Sequence, residues 1–194
     1  MNDIVYTLSR REIDALRLLT THRSRAIWIE HDHPLYPTGV VVELEDNSYV
    51  NIQVEGRTFA PKFECFRLSI TRGPPSPTSR VGAAFDSVKQ VSVLFRREYQ
   101  QNLPAPSDLV GDNPVLQTTA HPSQPVETNL SVIVASGLYL EGAAMTKLAI
   151  IAHEFPLAVR IVQAQDNIGA LLDNFSIVAL DEISDAGTPL LKLH

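Results

Sequence analysis

By residue type and spacing, the stretch best able to do chemistry is Glu30-His31-Asp32-His33. In an extended segment side chains alternate, so His31 and His33 fall on one face. Two imidazoles at that spacing can grip one metal ion, with Asp32 beside them. A zinc site still needs at least one further protein ligand. His22, His121, His153 and His194 are the other histidines of the chain. Pro34 follows at once and Leu35-Tyr36-Pro37 continues as a loop, so a polar strand end explains the cluster without chemistry. His31 and His33 are carried forward as metal candidates, and the expectation is no bound metal and no cofactor.

The other reactive groups point less far. His153-Glu154 begins like the zinc-protease pattern H-E-x-x-H, but its fifth position is Leu157 and Pro156 would break the helix that brings the two histidines together. Cys65 is the one cysteine. It has no histidine next to it and reads as a packing residue rather than a nucleophile. Arg96-Arg97 with Glu98 and Tyr99 has the composition of a phosphate contact. On a strand, however, the two arginines point to opposite faces, which favours ion pairs within a sheet. Arg10-Arg11 would sit in the first turn of a helix, where cations oppose the dipole unless an acidic neighbour compensates them. There is no phosphate-cradling glycine loop, no dinucleotide fingerprint and no nucleophile elbow. These gaps favour a chain that is not an enzyme.

The elements that must position these groups follow from periodicity. Ser9 and Glu12 form a capping-box pattern, with Leu8 and Ile13 placed as a staple, and the helix runs to about Thr20. From there the period is that of strands. Arg25–Glu30, Val40–Glu45 and Tyr49–Glu55 alternate, the last two joined by Asp46-Asn47-Ser48 as a hairpin turn. Glu64–Arg72 and Val88–Tyr99 follow. After residues 100–129 come Leu130–Ala135, Leu138–Glu141, Lys147–Phe155, Leu157–Ala164, a helical turn within Asp166–Leu172, and Phe175–Ile183. Pro156 implies an edge or a bend. The expected fold class is α+β or mainly β, with antiparallel sheets and one N-terminal helix. The runs are short and lack the regular helices of parallel β-α-β units.

Five prolines and little periodicity mark 100–129 as a Pro-rich loop or linker. The expected division is 1–99, a helix plus β subdomain, then 100–129, then an acidic β-rich subdomain at 130–194; one domain with a long loop is the alternative. The charge changes at the same place. Residues 1–99 carry 13 Lys and Arg against 12 Asp and Glu, whereas 100–194 carry 3 against 10.

That asymmetry governs the functional expectation. An acidic half repels a phosphate backbone, so no nucleic-acid partner is expected. No apolar run is long enough for a membrane helix. A single cysteine and the lack of a basic-then-apolar leader favour a cytoplasmic, intracellular location. The leading reading is a non-enzymatic protein-interaction module with an acidic face, such as an inhibitor or immunity-type binder. Asp166, Asp173, Asp181, Glu182 and Asp185 are its partner-binding candidates. The alternative is an enzyme or small-ligand binder with a pocket near His31 and His33.

Overall fold

The computed structural model describes residues 4–31, 36–60, 63–75, 79–83, 85, 87–99, 131–153, 158–163 and 168–184. The architecture is two largely antiparallel β-sheets and, among the described residues, one helix longer than two turns. In chain order the elements are β1 (Ile4–Tyr6), α1 (Arg10–Thr21), β2 (Ser24–His31), β3 (Gly39–Leu44), β4 (Tyr49–Ala60) and β5 (Phe63–Arg72). Then come β6 (Ser79–Gly82), β7 (Val88–Tyr99), β8 (Ser131–Gly142), β9 (Lys147–His153), β10 (Ala158–Gln163), α2 (Ile168–Leu172) and β11 (Ser176–Ala179). A 3-10 turn at Leu180–Glu182 follows β11.

One sheet has the order β5-β4-β3-β2-β6; the other runs β10-β9-β8-β7-β11, with β1 added in parallel to β8. The antiparallel class expected from the sequence is the one observed. The β7 and β8 strands, from either side of 100–129, are paired from Val88↔Gly142 to Tyr99↔Ser131. One sheet therefore draws strands from both flanks of that segment, which itself lies outside the described residues.

The helix begins as its sequence dictates. The Ser9 side chain accepts from the Glu12 N–H, and Glu12 Oε2 accepts from the Ser9 N–H at 2.7 Å, so both halves of the capping box form. Ile13, Leu16 and Leu19 are fully buried, and each contributes about 1.5–3 kcal/mol by leaving water. They join Val40, Val42, Leu44, Val50, Ile52, Leu68 and Ile70 of one sheet and Val91, Val93, Phe95, Leu138, Leu140 and Ile150 of the other in one core. The second sheet is apolar on its outer face as well. There Leu94, Tyr139, Ala149, Ile151 and Val162 pack under Ile168 and Leu171 of α2. The β3–β4 turn is Asp46-Asn47-Ser48 as expected. Asn47 takes φ 60°, and the Asp46 carboxylate accepts from the Ser48 N–H at 3.0 Å.

Two runs expected to be separate, Leu130–Ala135 and Leu138–Glu141, form the single strand β8. The reason is a bulge. Phe95 pairs with Ala135 and Leu94 with Gly137, leaving Ser136 as the extra residue. The inserted residue swaps the faces: Ile133 and Ala135 face the main core before it, and Leu138 and Leu140 after it. A strict period of two therefore fails across a strand that is continuous. The β1 and β6 strands, of three and four residues, were not anticipated because both are too short to show a period.

Gly137 permits this bulge beside β9. A Cβ there would lie 2.9 Å from the Ile150 carbonyl oxygen and 3.0 Å from Leu94 Cδ1. Gly137→Ala is expected to destabilise the protein by about 1–3 kcal/mol through overpacking. Urea unfolding of both proteins checks this, and a variant as stable as the parent would contradict the close approach.

Candidate functional site

The densest polar constellation lies where β1, α1, β4 and β5 meet. Its centre is the guanidinium of Arg67 on β5, a residue 9% exposed. Arg67 Nη1 donates to both Glu12 carboxylate oxygens, at 3.1 and 3.0 Å, and Nε donates to Glu55 Oε1 at 2.6 Å. Tyr6 Oη donates to the same Glu55 oxygen at 2.9 Å, and the Tyr6 ring lies 4.9 Å from the Arg67 guanidinium carbon. Glu12 Oε1 also accepts from the Ile70 backbone N–H at 3.1 Å. The β5 strand is the edge of its sheet. An edge N–H buried without a partner is costly, and here the helix supplies the acceptor.

Two carboxylates around one guanidinium satisfy the rule that a buried charge must be paired and hydrogen-bonded. Burial by itself would raise the Glu12 pKa, but donation from Ser9, Ile70 and Arg67 outweighs it and holds the carboxyl below its usual range. For Arg67 burial acts downward, and Glu12 and Glu55 more than reverse it. Burial, then the hydrogen bond to Glu55, pushes the Tyr6 hydroxyl up. Above this network opens a hollow of about 570 Å³, lined by Val5, Tyr6, Thr7, Leu8, Ser9, Glu55, Gly56, Arg57 and Arg67.

The acidic candidates lie elsewhere. Asp173 follows α2, and Asp181 and Glu182 are in the 3-10 turn after β11; all three are exposed. Asp181 lines a cleft of about 440 Å³ together with Arg17, Thr20 and Lys89. Asp166 and Asp185 lie outside the described residues. The structure thus gathers Asp181 and Glu182 on one turn and puts Asp173 at the other end of β11.

His31 is the last residue of β2, half-buried and paired in register with Ser79. Asp32 and His33 lie outside the described residues. Among the described residues no group of three or more His, Cys, Asp or Glu is placed to hold a metal ion. His153, at the end of β9, lines a separate hollow of about 460 Å³ with Tyr36, Pro37, Ala158, Val159, Arg160 and Ile161. Cys65 is fully buried against Tyr6, Val132, Val134 and Phe59, the packing role expected of it. Arg96 and Glu98, two apart on β7, form an ion pair of the kind expected for that stretch.

The sequence reading missed the Arg67 constellation. Its members are spread from Tyr6 to Ile70, and the one local signal, the Ser9–Glu12 capping box, explains Glu12 completely without Arg67. No helix among the described residues is long and apolar enough to cross a membrane.

The pH dependence follows from Glu12. Its folded pKa is depressed, so its stabilising contribution is present above the unfolded value, about 4.3, and is lost as pH falls through the folded value. Glu12→Gln is expected to lower stability at pH 7 by about 1.5–3 kcal/mol, as for losing a charged hydrogen-bond partner, because Glu55 still pairs Arg67. It should also flatten the loss of stability between pH 5 and pH 3, a range set by ordinary carboxylate titration. Urea titrations across that range check both, and parallel curves for parent and variant would contradict the assignment.

No protein-family model, curated protein or solved structure matches this chain.

Proposed function

We propose that this chain is a protein-interaction module rather than a catalyst, and that it holds a basic partner segment along the edge of β11. The observation that carries this is the strand's setting. Among the described residues β11 pairs with β7 alone and ends its sheet. Val178 is buried in the core while Ile177 is 47% exposed, with exposed Asp173 before the strand and exposed Asp181 and Glu182 after it.

An edge strand offers unpaired backbone groups to another chain, and proteins keep such edges short and charged to prevent self-association. The β11 strand spans four residues between carboxylates. Those charges repel a second copy of this acidic chain and attract a strand carrying Lys or Arg. Backbone hydrogen bonds along the edge would supply affinity, Ile177 an apolar contact, and the carboxylates the choice of partner and the encounter rate. An inhibitor or immunity-type protein that neutralises a basic partner works by this physics.

The test uses an extended peptide of alternating Lys and Val. Its association should slow as salt rises from 0.01 to 0.1 M, because the Debye length falls from about 30 to about 10 Å. Amide resonances of 176–179 should shift on binding, and Asp181→Lys with Glu182→Lys should slow association at least tenfold while leaving stability within about 1 kcal/mol. A rate independent of salt, or shifts scattered away from β11, would overturn the proposal.

A further inference from the structure

We propose that the hollow beside Tyr6 is a binding site for a small organic oxyanion, with Arg57 as the cation that receives it. This inference stands apart from the reading of β11, since it uses other residues and another ligand chemistry.

The charges lining the hollow are Glu55, Arg57 and Arg67. Two of them are matched: Glu55 accepts from Tyr6 and Arg67, and Arg67 also holds Glu12 from below. Arg57 makes no ion pair among the described residues, and its charge offsets the second carboxylate of the Glu12–Arg67–Glu55 group. Its guanidinium is nevertheless placed. It lies 5.3 Å from the Phe59 ring centroid and 5.9 Å from that of Tyr6, and these two rings meet edge to face at 5.4 Å. A guanidinium resting on aromatic faces keeps its planar fork of donors free at its edge, which suits two oxygens of one carboxylate or phosphate. Because the rings restrain it beforehand, less side-chain freedom is lost on binding.

The rest of the lining fits an organic anion better than a bare ion. Thr7 and Ser9 bring hydroxyl groups, and Val5, 45% exposed, brings apolar surface. At about 570 Å³ the hollow has room for a carbon skeleton beside the anionic group. Gly56 keeps the β4 wall in place: a Cβ there would lie 2.9 Å from both Glu64 Oε1 and Phe66 Cε1.

The experiment is a titration of the full chain, followed by amide resonances, with inorganic phosphate, acetate and glycerol phosphate in separate arms at constant ionic strength. Saturable shifts at residues 5–9 and 55–57 are expected with at least one of them. Stronger binding of phosphate than acetate assigns the ligand as a phosphate ester; the reverse order assigns it as a carboxylate. Glycerol phosphate should bind more tightly than inorganic phosphate if the skeleton contributes. Arg57→Ala should weaken binding at least tenfold, and Arg57→Lys, which keeps the charge and loses the fork, by an intermediate factor. Arg57 is exposed, so both variants should melt like the parent. Absence of saturable shifts in every arm, or shifts that survive Arg57→Ala unchanged, would overturn the proposal.

Discussion

A guanidinium buried between a helix and a sheet edge imposes the tightest constraint in this structure. Taking Arg67 out of water costs several kcal/mol unless its donors meet charged acceptors in good geometry. Glu12 from α1 and Glu55 from β4 meet that requirement, and Tyr6 of β1 is drawn in through Glu55. One side chain on β5 thereby fixes the position of the helix, the adjacent strand and the parallel strand β1. The same carboxylate of Glu12 closes the first turn of α1 and accepts the Ile70 N–H at the sheet edge. Helix start, edge protection and charge burial are one arrangement.

The chain's two proposed sites depend on this frame in different ways. The hollow beside Tyr6 exists because Arg67 and Glu55 hold the ring that also supports Arg57. The β11 edge hangs instead on β7, whose long pairing with β8 carries the second sheet. That sheet is apolar on both faces, one covered by the first sheet and α1, the other by α2. The β8 and β9 strands therefore read as nearly continuous hydrophobic runs, with Ser136 buried within β8 and Ser92 within β7.

What the sequence made legible was local. The capping box at Ser9 and Glu12 fixes where α1 begins. The alternation of Val40, Val42 and Leu44 against Val50 and Ile52 gives the hairpin with its faces correctly assigned, and the turn residues agree. Strand continuity through Ser136-Gly137 was not legible, because a bulge reverses the alternation there. Sheet order was not legible either, since nothing in periodicity says that β6 pairs with β2 or β1 with β8. The same limit hid the candidate site. Glu12 and Arg67 are 55 residues apart, and each has an adequate local explanation: a cap for one, a strand charge for the other. The acidic candidates were legible as composition. Only folding showed that Asp181 lines a cleft with Arg17 and Lys89, and that Asp173 lies before β11 with Asp181 and Glu182 after it.

The account turns on Arg67 and Glu12 acting as one unit, and a double-mutant cycle on unfolding free energy measures that directly. Arg67→Met, Glu12→Gln and the double variant are compared with the parent by urea denaturation at pH 7. If the two side chains satisfy each other, Arg67→Met leaves Glu12 without its cation, and Glu12→Gln leaves the guanidinium with Glu55 as its one charged partner. The double variant should then be less destabilised than the sum of the singles by more than about 1 kcal/mol. Additivity within about 0.3–0.5 kcal/mol, the range found for independent sites, would contradict it.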